Sequence, residues 1–517
     1  MSTERTVKKT TTEFRTMARG FAWALAVLAG LACFAPNPAC CDDGNLWYKS
    51  FDASVPYTTP LVPDARSAYS IFPWDATGTL GQNLVVKITG IFPYARYMSY
   101  NVYDFAERDP LLSIADRQII PDPGCVNPYS PGEDRQEAPE QRTYTIWFVP
   151  GTENDHSAVF DKGDFPNIRY LGVLGKQTGE NQDRVVELPL IMYRLYLPDQ
   201  WDPFNPYLGL TCPASGPEDT VACGVSGCAR YECKINGWVP LPRIETFELK
   251  EGPDGDFLAP LSQPPLPPIA ETVLDVAAEV LSAGLTSDVE STENGDSVDF
   301  YNFRAGGLLP NENNKYVCAG LSVLPGKEVA VIRFKPPTYP DTSLDGDAYR
   351  SFPDPDPQVR YFSMNMSGAL STLTTGAVCD TEAKVAPDGY IYIVTGPDDQ
   401  TLRYRVNAVG MNFLPRGLEA FPVLVYRHMM ARKDFTKTCG RVPEYSKETF
   451  RKAVGRYANL PFDDDLSYDF NRDGRVTLAD FQAKTFMGAY APQGKYFTRF
   501  GLSLRMGTPG FTPGSLF

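Results

Sequence analysis

An internal repeat between the two halves of the chain constrains the fold more than any other feature. Each half contains an alternating strand, a strand with Arg-Tyr-x-Ser, a Pro-Asp turn ending in Gly, an aromatic strand and a Pro-led strand with Tyr-Arg. The segments are 84–104, 115–124, 143–151 and 188–199 in the first half, and 329–337, 359–368, 379–389, 390–399 and 421–430 in the second. Such self-similarity indicates one structural unit present twice.

Hydrophobic periodicity predicts that the repeated unit is a β-sandwich. Residues 85–89 and 97–103 alternate apolar and polar side chains with period two, as half-buried strands do. The Pro-Asp-x-Gly segments supply the restricted φ and the glycine that turns between strands require. We therefore expect a mainly β protein with two tandem, similar β-sandwich lobes. The strand 95–104 resembles a motif of uncharacterised bacterial β-sandwich proteins, which implies a jelly-roll-like sandwich and no established activity.

The remaining segments complete a predicted domain organisation. The predicted units are a leader or anchor (1–39), a first lobe (42–250) with a Cys-rich loop (212–233), a linker (251–315) with one helix (270–284), a second lobe (316–440), a small C-terminal α-helical EF-hand-like calcium module (445–490) and a tail (491–517).

The N-terminus is typical of an export signal. Basic residues precede the fifteen-residue apolar run 21–35, which has the length of a signal peptide and is short for a membrane span. Cleavage is expected near Ala35 or Ala39, and the protein is then secreted, periplasmic or on the cell surface. The alternative is an uncleaved anchor through residues 21–35.

The charge balance limits the classes of partner. Lys and Arg number 48 and Asp and Glu 63, so the formal net charge is −15. Nucleic acid and anionic membrane surfaces repel such a chain, so neither is an expected partner. The sequence leaves the ligand or surface partner unidentified.

Export to an oxidising compartment predicts disulfides among an even set of cysteines. Four of them crowd into the loop 212–233 with intervals of ten, four and four residues, which disfavours the alternative of a zinc site. The candidates are Cys125, Cys212, Cys223, Cys228, Cys233, Cys318, Cys379 and Cys439.

Four arginines recur at matching positions of the two halves, namely Arg96, Arg194, Arg360 and Arg427. One interpretation is that each binds a carboxylate or sulfate by bidentate pairing. The favoured interpretation is structural, with each arginine tied to a nearby aspartate such as Asp104, Asp116 or Asp380.

The stretch DFNRDGRVTLAD, residues 469–480, has the spacing of a calcium loop. Oxygen ligands fall at positions 1, 3, 5, 7, 9 and 12 of a twelve-residue frame, and Gly474 permits the bend at position 6. The predicted ligands are Asp469, Asn471, Asp473, the Arg475 carbonyl, Thr477 and Asp480. Thr477 also caps a predicted helix over 477–490.

The same stretch resembles the dockerin-type repeats of the EF-hand family, with Asp480 at position 12 and Val476 at position 8. The resemblance implies calcium as the cofactor. Dockerins carry two repeats and this chain shows one, which argues against a cohesin partner. At extracellular calcium levels a modest site is filled, so a structural role is expected.

Two functional hypotheses follow. No nucleophile-elbow, P-loop, Rossmann or metalloprotease signature occurs, and His156 and His428 are interpreted as ordinary. We favour a calcium-stabilised binding or structural module. The alternative is a secreted, carboxylate-dependent hydrolase of a polysaccharide or similar polymer, with aromatic platforms among Trp74, Trp147, Trp201 and Trp238 in a cleft between the lobes.

Overall fold

The computed structural model describes residues 46–47, 49–52, 63–64, 66–105, 109–135, 137–153, 159–160, 165–172, 174, 186–198, 239–251, 256–265, 296–303, 311–342, 350–368, 373–419, 422–445 and 481–517. Four predicted features lie outside these residues: the leader 1–39, the loop 212–233, the linker helix 270–284 and the calcium loop 469–480.

The first lobe consists of two five-stranded sheets, in the orders β1-β2-β8-β4-β5 and β10-β9-β3-β6-β7. Its strands are β1 (Lys49–Asp52), β2 (Ser67–Pro73), β3 (Leu84–Ile91), β4 (Ala95–Asp104), β5 (Asp109–Ala115), β6 (Thr143–Val149), β7 (Ile168–Tyr170), β8 (Pro189–Pro198), β9 (Arg243–Lys250) and β10 (Phe257–Leu261).

The second lobe has sheets in the orders β13-β19-β15-β16 and β11-β21-β14-β17-β18, and a parallel pair β12-β20. Its strands are β11 (Ser297–Val298), β12 (Asn302–Phe303), β13 (Asn314–Gly320), β14 (Val329–Phe334), β15 (Tyr361–Gly368), β16 (Thr374–Cys379), β17 (Ile391–Gly396), β18 (Asn412–Pro415), β19 (Pro422–Met429), β20 (Glu444–Tyr445) and β21 (Gln493–Phe497).

The two strand orders superimpose, as the internal repeat indicates. Strands β2, β8, β4 and β5 occupy the places of β13, β19, β15 and β16, and β9, β3, β6 and β7 those of β21, β14, β17 and β18. In both lobes the last strand of the second sheet runs parallel to its neighbour. The prediction of a mainly β protein is confirmed.

Strand β4 shows how each sandwich is built. Its alternate residues Met98, Tyr100 and Val102 enter the core between the two sheets of the first lobe. Tyr97 belongs instead to a cluster with residues of the second lobe, including Tyr361. All ten residues of β4 are therefore buried, because one face meets its own lobe and the other meets the partner lobe.

Helices are short and peripheral among the described residues: α1 (Thr79–Gln82), α2 (Gln400–Ala408), α3 (Ala483–Met487) and α4 (Arg499–Met506), with 3-10 turns at Asp116–Gln118, Pro139–Gln141, Cys439–Arg441, Gly488–Tyr490 and Pro513–Leu516. Helices α2 and α4 bury Leu402 and Leu502 in one cluster with Val331 of β14. They cover the outer face of the second lobe.

Three predicted boundaries are wrong. The second lobe begins before residue 316, because β11, β12 and the first residues of β13 lie in the predicted linker 251–315 and pair with strands of that lobe. Strand β10 pairs with β9, so the first lobe runs past residue 250 into the predicted linker. Strand β21 pairs with both β11 and β14, so the predicted tail 491–517 supplies an interior strand of the second lobe. Sequence analysis missed β21 because only Gly494 and Tyr496 of its five residues are buried, and glycine carries no hydrophobic signal.

The helix predicted over 477–490 ends earlier than predicted. Helix α3 ends at Met487, and a 3-10 turn follows from Gly488 to Tyr490. Gly488 has a φ of +58°, which a continuing α-helix does not accommodate. The break turns the chain toward β21.

Candidate functional site between the lobes

The facing sheets of the two lobes meet through polar side chains. Ser99 of β4 stands opposite Arg194 of β8, and Ser363 of β15 stands opposite Arg427 of β19. All four residues are at most 4% exposed. A buried face with this much polarity needs internal partners for its charges, because an unpaired buried charge is costly.

Two ion pairs cross the interface reciprocally. Arg96 Nη1 of the first lobe lies 2.9 Å from Asp380 Oδ2 of the second. Arg360 Nη1 of the second lobe lies 3.2 Å from Asp116 Oδ1 of the first. Since Arg96 matches Arg360 and Asp116 matches Asp380 in the repeat, the contact has the form of a two-fold symmetric dimer interface within one chain.

Each aspartate of these pairs is held in the same way. Asp116 accepts a hydrogen bond from the backbone N–H of Met98, and Asp380 from that of Phe362. Burial raises the pKa of Asp380 to about 6, against the opposing effect of Arg96. Burial likewise raises the pKa of Asp116, against the opposing effect of Arg360. These two carboxylates therefore lie where desolvation outweighs their pairing.

Asp64 forms a third and asymmetric centre. Its carboxylate accepts hydrogen bonds from Tyr361 Oη at 2.8 Å and Ser363 Oγ at 2.6 Å, and lies 3.2 Å from Arg427 Nη1. Burial alone would lower the pKa of Arg427, but Asp64 and nearby tyrosines raise it above its ordinary value. One carboxylate of the first lobe thus holds three side chains of the second.

The position equivalent to Asp64 is Asn311. Asp64 Oδ1 accepts the backbone N–H of Arg66 two residues on, and Asn311 Oδ1 accepts that of Asn313. Asn311 faces Tyr97, whose hydroxyl donates to its Oδ1 at 3.4 Å. The same local turn therefore presents a carboxylate in one lobe and a neutral amide in the other.

Arg194 lies among aromatic rings. Its Cζ is 5.6 Å from the Tyr69 ring centre and 5.5 Å from that of Tyr103, and its Nε lies 3.1 Å from Met192 Sδ. Cation–π contacts at this range stabilise a buried guanidinium. Burial holds the pKa of Tyr103 well above its ordinary value, so the phenol stays neutral.

The structure therefore brings the four predicted arginines to one interface, with Asp partners in the opposite lobe for Arg96, Arg360 and Arg427. Sequence reasoning missed Asp64 and Asn311. A signal existed, because each lies three residues before the first residue of a matching strand, β2 or β13.

Predicted disulfides are not formed at the four described candidates. Cys125, Cys318, Cys379 and Cys439 carry free thiols. Burial raises the pKa of Cys318 and of Cys379 to about 12, so these thiols are protonated. The other four candidates, in the loop 212–233, lie outside the described residues.

The predicted aromatic platforms do not line this interface where they are described. Trp74 is fully buried in the core of the first lobe, and Trp147 packs with Phe160 and Phe165 on the outer face of that lobe. Trp201 and Trp238 lie outside the described residues, as does His156.

His428 is a core residue. Its Nε2 lies 2.9 Å from Tyr426 Oη, and its Nδ1 accepts the backbone N–H of Cys439 at 3.4 Å. Burial lowers its pKa to about 3. A neutral, fully enclosed imidazole of this kind serves packing.

Within the described ranges, no cluster of three or more His, Cys, Asp or Glu side chains is arranged to hold a metal ion. The same part of the chain contains no helix of sufficient length and apolarity to span a membrane. The predicted metal ligands 469–480 and the apolar run 21–35 both lie elsewhere in the chain.

Comparisons with known proteins find distant structural matches and no sequence match. No family model matches the chain, and no curated protein matches it. A putative uncharacterized protein from Burkholderia cenocepacia is 10% identical, with a TM-score of 0.41 over 80% of this chain and 86% of that one. The VPA0106 protein from Vibrio parahaemolyticus is 12% identical, with a TM-score of 0.29 over 72% of this chain and 87% of that one.

Proposed function

We propose that the protein is an exported, calcium-binding β-sandwich module that acts in binding or as a structural element, with calcium held by residues 469–480 mainly for stability. The loop would belong to a small helical module over 445–490. The main support for this proposal comes from the contacts that the described residues flanking 446–480 make inside the second lobe.

Both ends of the segment meet inside the second lobe. The rings of Tyr445 and Phe481 lie 5.6 Å apart, and Phe481 is fully buried. Tyr301 packs on Tyr445 at 5.3 Å, and its hydroxyl accepts a hydrogen bond from Gln482 Nε2 at 3.2 Å. The segment 446–480 is therefore an insertion into the second lobe, not a terminal appendage.

This anchoring supports a stabilising role for the ion. Asp480, the last predicted ligand, directly precedes buried Phe481, and the Ala483 N–H donates to the Phe300 carbonyl at 2.7 Å. A cation that orders the loop would restrict the chain at the point where it joins the lobe. An ion that binds only the folded state stabilises it by about 3 kcal/mol at 100 times its dissociation constant.

The interface supports a binding or structural role over catalysis. Its fully buried carboxylates among the described residues, Asp64, Asp116 and Asp380, each pair with an arginine of the opposite lobe. The hydrolase alternative needs two carboxylates free to face a sugar. None of the described ion pairs at the interface offers that arrangement.

Calcium titration with thermal melts of the purified protein tests the proposal. We expect one saturable site, and a melting temperature that rises with calcium and falls with chelator. Asp473→Ala should abolish both effects. Asp464→Ala, outside the twelve-residue frame, is the matched control and should retain them.

Hydrogen exchange shows which residues calcium stabilises. Calcium should slow exchange at residues 444–445 and 481–483, because those residues anchor the insertion. Absence of binding heat together with identical melts in calcium and chelator would overturn the proposal.

A further inference from the structure

The guanidinium of Arg427 has one edge without partners. Its Nη1 faces Asp64, but Nε and Nη2 form no hydrogen bond, although the residue is 1% exposed. These two nitrogens form the side edge of the guanidinium, whose parallel N–H groups match two oxygens of one oxyanion. Each buried donor left without a partner costs about 1–3 kcal/mol.

The surroundings of this edge favour negative charge. Arg427 Cζ lies 5.3 Å from the Tyr316 ring, and Arg194 of the other lobe acts electrostatically on Tyr316 and Tyr196, as Arg427 does. Two guanidinium groups therefore lie near the same phenols. Burial raises the pKa of both tyrosines, so neither phenol supplies an anion at neutral pH.

A polar group on the neighbouring strand β13 is also incompletely paired. Asn314, two residues before Tyr316 on β13, donates from Nδ2 to Tyr196 Oη at 3.2 Å. Its Oδ1 is buried without a hydrogen-bond partner. Buried donors and acceptors left open in one interface are typical of a place where a small guest, ion or water, completes the network.

We propose that the Nε/Nη2 edge of Arg427 binds a small carboxylate between the lobes. The ligand presents two oxygens to the two N–H groups, while Asp64 keeps Nη1. Because the site is enclosed, the anion is acquired on folding or on opening of the interface, and it exchanges slowly. The site is separate from the calcium loop, so the two proposals stand or fall independently.

The first test is direct detection of a retained anion. The protein is purified, dialysed against carboxylate-free buffer and denatured, and the released anions are measured by ion chromatography. We expect about one equivalent of a small carboxylate per chain, as one bidentate site holds. Arg427→Lys keeps a charge near Asp64 but loses the planar edge, so it should release less than about a tenth of that amount.

The matched control is Arg96→Lys, which alters an equally buried arginine whose Nε and Nη1 already bond Thr342 and Asp380. It should retain the anion even though it is less stable than the native protein. Refolding with formate or acetate, against chloride at equal ionic strength, should raise the melting temperature of the native protein and of Arg96→Lys but not that of Arg427→Lys.

Three outcomes overturn the proposal. The first is that the native protein releases no anion above the buffer blank and responds equally to formate and chloride. The second is that Arg427→Lys releases as much anion as the native protein. The third is that only Arg96→Lys loses the anion. The first would mean that water completes the edge.

Discussion

The two lobes share a strand order but differ in their buried polar residues. Asp64 of the first lobe corresponds to Asn311 of the second, and His428 of the second corresponds to Leu195 of the first. The hydrophobic alternation that builds the sandwiches is the same in both, whereas the Asp64 carboxylate and the His428 imidazole each occur in one lobe only. The fold thus depends on the repeat, and the chemistry of the interface depends on departures from it.

Removal of the Asp64 carboxylate should have the largest effect on the stability of the protein. Asp64→Ala leaves Arg427 as a buried charge without its carboxylate, and such losses cost about 3–5 kcal/mol. Asn311→Ala removes only neutral hydrogen bonds, at a cost of about 1 kcal/mol. Urea denaturation at pH 7 measures both free energies of unfolding.

The difference between the losses of stability in the two variants decides whether the charge of Asp64 matters. Equal losses in Asp64→Ala and Asn311→Ala would mean that the Asp64 charge is irrelevant and that only the local turn matters. Asp64→Asn sharpens the result, because it retains the turn while making the two lobes alike.

Acid sensitivity should come from the second lobe. The pKa of His428 is lowered to about 3 in the fold, below its ordinary value of 6.5, so the unfolded chain binds the proton first. Stability from this group is present above pH 6.5 and is lost as the pH falls toward 3. At pH 4.5 the loss is about 2–3 kcal/mol.

His428→Leu, which copies Leu195, should remove that loss. The variant is less stable at pH 7, because Tyr426 and Cys439 lose their partner. Its free energy of unfolding should nevertheless fall less between pH 7 and pH 4.5 than that of the native protein. Parallel pH profiles for the two proteins would contradict the assignment.

The sequence predicted the positions of the strands better than it predicted the contacts between strands and between lobes. Alternation placed β3 and β4, because side-chain period is a local property of a half-buried strand, and the internal repeat placed β6, β8 and the counterparts in the second lobe. It also singled out the arginines, through their recurrence. It did not reveal that Arg96 reaches Asp380 across the interface, because a two-fold relation between lobes leaves no local pattern. Strand β21 was missed since more than one hundred residues separate its sequence from either of its neighbours, β11 and β14.

The smallest expected effect is at the rim of the interface. Arg66 of the first lobe pairs with Glu382 of the second, and the two side chains are 33% and 37% exposed. Because water and salt screen such a pair, a double-mutant cycle with Arg66→Ala and Glu382→Ala should give a coupling of about 0.2–1 kcal/mol. The coupling should shrink in 1 M salt, whose screening length is about 3 Å. The corresponding cycle on Arg96 and Asp380, both buried, should persist in the same salt. Equal salt sensitivity of the two cycles would mean that water reaches the interior pairs, and that the lobes are joined by a wet and separable contact.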